Sequence, residues 1–164
     1  MVEEKIFEKE DESYALWLLL IQTNKAIHLA RQEELARIGI TVGEAGVLYY
    51  ANKLGRRATP TEISRCLSKM PHGVSTCISR MEKEGLVKKI KDLDKKNLVR
   101  VQLTNKGRQA HQQAVKREVI RSVMSSLSEG DFIQLVSVLE TLRNTAIDKI
   151  KLREKLAYLS TKSY

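Results

Sequence analysis

Five side chains between positions 72 and 80 could read another molecule. His72, Ser75, Thr76, Ser79 and Arg80 are hydrogen-bonding groups, spaced to share one side of a helix. Small polar groups plus one guanidinium suit base edges in a DNA major groove, because bulk would hold the helix backbone away. Arg80 can meet guanine O6 and N7 with two parallel N–H groups, worth roughly 1–3 kcal/mol of discrimination. It can equally pair with Glu84 four residues on, pair with Asp92, or take a phosphate. Lys95, Lys96 and Asn97 form a second polar cluster, suited to a minor groove beside that helix. Lys69, Arg56, Arg57, Thr61 and Lys83 are candidates for phosphate contact, which fixes register without reading sequence. Each of these five alone also suits an uncommitted surface side chain.

The charge distribution agrees with an anionic partner. The chain of 164 residues has a formal net charge of +9. Residues 1–40 carry net −3, residues 41–110 net +9 and residues 111–164 net +3, so the excess matches that of one middle segment. Other chemistry finds little support. There is no P-loop, Gly-rich dinucleotide turn or nucleophile–base pair, so no catalytic residue is expected. His28, His72 and His111 stand apart without a close set of ligands, so neither a metal nor any other cofactor is expected. Two cysteines, Cys66 and Cys77, cannot build a disulfide scaffold and suit a reducing cytoplasm. The longest apolar run, Tyr14 to Ile21, is eight residues where a membrane span needs roughly 20, so no membrane association is expected.

These groups must be positioned by local elements. The periodicity predicts a helix over 13–38, stopped by Gly39 and roughly 37 Å long. Thr41 and Glu44 form a capping box for a second helix that ends near Gly55. Thr59-Pro60-Thr61-Glu62 starts a third, short helix running to Ser68. After Pro71 a fourth helix carries Val74, Cys77, Ile78 and Met81 on one stripe, which leaves the polar side chains named above outside. The period then changes to two: Leu86-Val87 begins one strand and Val99–Leu103 forms its partner, with charged turn residues 92–97 between them. Thr104 caps a long helix expected to reach Leu127. Ser128–Asp131 caps a last one with Phe132, Leu135, Val138, Leu139, Leu142, Ala146, Ile150 and Leu156 at helical spacing. The expected fold is mainly α with one small β-hairpin, a winged helix-turn-helix lobe over 41–107. The helices of 11–38 and 108–160 are apolar beyond what that lobe can cover, and read as a dimerisation layer built from both ends of a single 1–164 domain.

Four blocks in order then resemble the MarR (multiple antibiotic resistance regulator) family. They are Ile40–Leu48, Pro60–Ser64, Val74–Val87, and Asp92-x-Asp-Lys-Lys-Asn followed by Val99-x-Val-x-Leu-Thr-x-x-Gly107. The resemblance implies a homodimeric regulator, usually a repressor, that binds a palindromic operator in double-stranded DNA and often answers to a small-molecule effector. One departure is at the wing tip, where the family has an Asp-Arg-Arg-like end and this chain has Lys95, Lys96 and Asn97 in a tip one residue longer. Lysine lacks the planar fork of arginine.

The family's effector crevice lies between dimer layer and winged lobe. Here it would draw on Trp17, Ile21 and His28 of the first helix, Tyr49 and Tyr50 of the second, and His111 of the fifth, all equally suited to ordinary packing. Peroxide-sensing relatives carry a reactive cysteine in the first helix, and this chain has none there. Cys66 and Cys77 fall on apolar sides, where a thiol behaves as an inert hydrophobe. The competing reading is an architectural protein that coats DNA without sequence choice.

Overall fold

The first N–H groups of a helix have no partner inside it, and local side chains supply one at most starts in the central segment. The computed structural model describes residues 9–91 and 98–149. In α2 (Val42–Leu54) the Thr41 hydroxyl accepts from Glu44 N at 3.2 Å, and the Glu44 carboxylate accepts from Thr41 N at 2.8 Å. In α3 (Pro60–Leu67) Thr59 accepts from Glu62 N, with Pro60 at the first helical position. A 3-10 turn, Gly55–Arg57, joins these two helices. α4 (Pro71–Lys83) ends before Gly85, whose φ of +72° only glycine adopts at no steric cost. There the chain turns into β1 (Val87–Lys91), antiparallel to β2 (Val99–Leu103) with Val87 opposite Leu103 and Lys91 opposite Val99.

The mainly helical fold with a single antiparallel hairpin among the described residues is the expected winged-helix arrangement. Leu48 of α2, Ile63 of α3, and Ile78 and Met81 of α4 are wholly buried in one core, which Val87, Val101 and Leu103 of the hairpin complete. Val101 N donates to Ala58 O at 2.7 Å, tying the hairpin to the loop before α3. Thr104 closes the other side: its hydroxyl donates to Gly85 O at 2.6 Å and accepts from Gly107 N at 3.0 Å, capping α5 (Asn105–Ala114). That seam is so close that a Cβ on Gly107 would lie 1.9 Å from Leu86 O.

α1 (Lys9–Ala36) stops two residues before the expected Ile38, and Gly39 adopts the left-handed conformation that releases the chain. Leu35 and Ile40 at this end enter the core of the lobe, whereas Leu16, Trp17 and Leu19 are each more than half exposed.

The long helix expected to run from Thr104 to Leu127 is in fact two. α5 ends at Ala114, Arg117 adopts a left-handed φ of +51°, and α6 (Glu118–Met124) starts afresh. The cause is a tertiary clip on α1. Arg31 donates to Ala114 O at the end of α5, while Glu34 accepts from Glu118 N at 2.8 Å and Val119 N at 3.4 Å at the start of α6. Arg31 and Glu34 also pair with each other, so one ion pair satisfies both broken helix ends. α7 (Glu129–Lys149) follows the expected cap, with Ser128 Oγ accepting from Asp131 N at 3.2 Å; Ile150 and Leu156 lie outside the described residues.

Candidate nucleic-acid interface

α4 divides its side chains as the stripe predicts. Val74, Ile78 and Met81 face the core, Cys77 is half-buried against Met81, and His72, Ser75, Thr76 and Arg80 are exposed. Ser79 is less accessible: it is half-buried and its hydroxyl accepts from Lys89 Nζ of β1 at 2.9 Å. Lys89 also pairs with Glu82 at 3.2 Å and donates its backbone N–H to the same carboxylate at 3.0 Å. The wing strand is thereby pinned along α4. These hydrogen bonds from Lys89 hold the Glu82 carboxyl below its usual range.

Arg80 has a partner not among those expected from the sequence. Its Nε and Nη2 donate to Glu44 Oε1 of α2 at 3.1 and 2.8 Å, while Glu84 stands at 3.8 Å and Asp92 lies outside the described residues. Glu44 is only 3% exposed and spends its other oxygen on Thr41, accepting from the backbone N–H at 2.8 Å and the hydroxyl at 3.0 Å. Burial alone would raise its pKa; the hydrogen bonds from Thr41 and Arg80 outweigh burial and leave it lowered, so the carboxylate is charged near neutral pH. Glu44 was visible in the sequence as a capping residue. Its second task was not, because Arg80 is 36 positions away.

The candidate phosphate contacts are all at the surface. Thr61, Lys69 and Lys83 are exposed on or beside α3 and α4, and Arg56 and Arg57 are exposed on the 3-10 turn. Lys95, Lys96 and Asn97 lie outside the described residues.

The candidate effector residues are not all brought together. A cavity of about 270 Å³ lies between α1, α2 and the α5–α6 break, with Arg31, Leu35, Tyr49, Tyr50, Val115 and Arg117 in its wall. Arg117 lies 5.0 Å over the Tyr49 ring, and Tyr50 meets Tyr49 edge-on at 5.1 Å. His111 is beside Tyr49, with ring centroids 6.3 Å apart; burial lowers its pKa, and among the described residues its buried Nδ1 has no hydrogen-bond partner. Trp17, Ile21 and His28 are elsewhere, on the exposed outer length of α1, where Trp17 touches Tyr14. Arg31 lies fourteen positions after Trp17, about 21 Å along the helix. Burial raises the pKa of both Cys66 and Cys77, which keeps them as thiols. Among the described residues no three His, Cys, Asp or Glu side chains cluster as a metal site, and no helix is long and apolar enough to cross a membrane.

Solved structures with this architecture include a close sequence relative. The organohalide-sensing transcriptional regulator RdhR-CbdbA1625, in its 2,4-dichlorophenol-bound form, is 31% identical over 88% of each chain, with a TM-score of 0.74. Its ligand-free form superposes with a TM-score of 0.81 over 100% of this chain and 98% of that one, at 28% identity. A MarR family transcription regulator, SP03579, shares the fold at 19% identity and a TM-score of 0.76, covering 87% of this chain and 95% of its own. This chain belongs to the MarR family. It is a DNA-binding transcriptional regulator of the winged-helix type, and its relatives are regulators rather than enzymes. A cysteine-to-serine variant of MarR from E. coli, solved with operator DNA, matches the fold at 21% identity and a TM-score of 0.72 over 83% of this chain and 99% of that one. No protein-family sequence model and no curated protein sequence matches the chain.

Proposed function

We propose that this MarR-family chain is a homodimeric repressor of a pseudo-palindromic operator, released when a small molecule binds. The observation that carries the reading is the exposed face of α4: His72, Ser75, Thr76 and Arg80 point outward from a buried apolar stripe, within the strongly basic segment 41–110. In this reading the lobe of residues 41–107 reads DNA. Ser75, Thr76 and Ser79 meet base edges, Arg56, Arg57, Thr61, Lys69 and Lys83 neutralise phosphates, and Lys95, Lys96 and Asn97 follow the adjacent minor groove. The regions 11–38 and 108–160 pair two copies, which sets the two recognition helices about 34 Å apart, one turn of B-DNA.

Selection of bound sequences from a random duplex pool, followed by footprinting, tests this. The expected result is an inverted repeat with half-site centres about 10 base pairs apart, bound about a thousandfold more tightly than random duplex. Protection of a lone half-site, or equal affinity for random DNA as an architectural coat would give, contradicts it.

For the effector, the crevice bounded by Arg31, Tyr49, Tyr50 and Arg117 is the favoured site, with His111 at its edge and Trp17, Ile21 and His28 outside its wall. The organohalide-sensing relative takes 2,4-dichlorophenol, and two tyrosines with two guanidinium groups suit a small aromatic ring bearing a negative oxygen. Such a ligand sits where α1 grips the α5–α6 break. It can alter the spacing of the recognition helices only by binding one spacing more tightly than the other. Calorimetry with 2,4-dichlorophenol on the intact chain and on Tyr49→Ala tests the site; equal affinity for both would place the ligand elsewhere.

A further inference from the structure

We infer that Glu44 is a positioning residue for sequence reading: through Arg80 it holds the recognition helix at its reading angle, although it touches no DNA itself. The inference rests on the DNA-binding reading of α4. Its basis is the division of labour between the two oxygens of Glu44. Oε2 is fixed by Thr41, whose backbone N–H and hydroxyl donate to it at 2.8 and 3.0 Å; Oε1 accepts both Nε and Nη2 of Arg80 at 3.1 and 2.8 Å. One end of the contact is therefore rigid, since Glu44 is 3% exposed and locked in the capping box of α2. The other end is a planar guanidinium whose Nε and Nη2 converge on the single oxygen Oε1, which holds its edge against α2.

Arg80 emerges from the third turn of α4, and its side chain stays 55% exposed. The apolar stripe of α4, Val74, Ile78 and Met81, fixes its depth in the core, and Lys89 ties Ser79 and Glu82 to β1. The Arg80–Glu44 contact adds a second polar tie, to α2, against rotation about the helix axis, a rotation that would sweep Ser75 and Thr76 across the base edges. Thr41 directly follows Ile40, where the end of α1 enters the core, so this tie also connects α1's exit to α4.

This assignment makes a prediction of unusual sign. Glu44 is a negative charge near a DNA-facing helix, and removing it on electrostatic grounds alone should tighten binding to all DNA. If Glu44 positions α4, Glu44→Gln should instead weaken binding to the sequence selected by the wild-type chain by about tenfold or more, while affinity for random duplex holds or rises. Arg80→Lys keeps the charge but loses the fork and should cost a similar fraction of selectivity. The double variant should lose little more than the worse single one, because both break the same contact. Thermal melting of each variant accompanies the binding titrations, and selectivity is compared at a temperature where all are folded. Wild-type discrimination with equal discrimination by Glu44→Gln would overturn the positioning role, as would additive losses in the double variant. A wild-type chain without sequence preference would overturn the reading of α4 itself, and this inference with it.

Discussion

Leu48 and Leu19 are the same residue type in helices of the same chain, yet one is wholly buried and the other 57% exposed. The contrast extends through both regions. In the winged lobe, Ile63, Ile78, Met81, Val87 and Val101 close a core on themselves, and the backbone of the hairpin is tied down at Ala58 and Leu86. Along α1 and α7, Trp17, Phe132, Ile133, Val138 and Leu142 lie open on a single chain. Burying a large apolar side chain contributes roughly 1.5–3 kcal/mol, so an exposed row of them is a surface that favours a partner. The lobe satisfies itself; the long helices do not. A self-contained lobe beside long helices with open apolar faces is the division of labour that the proposed dimeric reader of paired half-sites requires.

The comparison breaks most severely if the lobe is hollowed. Leu48→Ala should cost roughly 2–5 kcal/mol in chemical denaturation, because Leu48 is wholly buried and its truncation leaves a cavity in the core of the lobe. Loss below about 1 kcal/mol would show that the lobe is not the stable half. Next is Gly107→Ala, whose added carbon would meet Leu86 O at 1.9 Å. Parting that seam should cost roughly 1–3 kcal/mol and loosen α5 against the hairpin, read by hydrogen exchange at Val101 and Leu103.

The seam between the regions gives a smaller effect. Glu34→Ala removes the acceptor for the first N–H groups of α6 and should cost about 0.5–2 kcal/mol, as loss of a helix cap does. Its signature is faster exchange in α6 while the lobe keeps its protection. Acid should act through the same group and through Glu44. For both, burial opposes ionisation but hydrogen bonds and nearby cations prevail, so each carboxyl is lowered below its usual range. A lowered folded-state pKa contributes stability that is full above the unfolded carboxylate range and is lost as pH falls through the folded value. Stability should therefore be flat near neutrality and decline below about pH 4.5, and Glu44→Gln should flatten part of that decline.

How much of this was legible follows the range of the forces involved. The starts of α2 and α3, the stop at Gly85 and the outward set on α4 are local signals: Thr41 to Glu44, Thr59 to Pro60, and a stripe repeating every three or four residues. The α5–α6 break was not legible, because Ala114-Val-Lys-Arg-Glu118 has neither glycine nor proline and is broken by Arg31 and Glu34 more than 80 positions earlier. Arg80 offered Glu84 and Asp92 as neighbours in sequence, but its two short contacts are to Glu44, which only packing brings close. Of the side chains expected to share a crevice, Tyr49 and Tyr50 line the cavity beside Arg31 and Arg117, whereas Trp17 belongs to the outer, exposed length of α1, which local periodicity alone does not distinguish from its inner end.

The smallest perturbation tests the frame alone. Leu19→Asp adds one charge to the exposed face of α1 and should leave the circular dichroism of the lobe nearly unchanged, since surface substitutions typically move stability by only about 0.5 kcal/mol. Sedimentation equilibrium on the unmodified chain and on Leu19→Asp is then the most direct measurement. The wild-type chain should sediment at twice its 18.7 kDa chain mass, and Leu19→Asp should shift toward the monomer and lose selective operator binding. A wild-type chain that is stably monomeric while still selecting an inverted repeat would contradict the account.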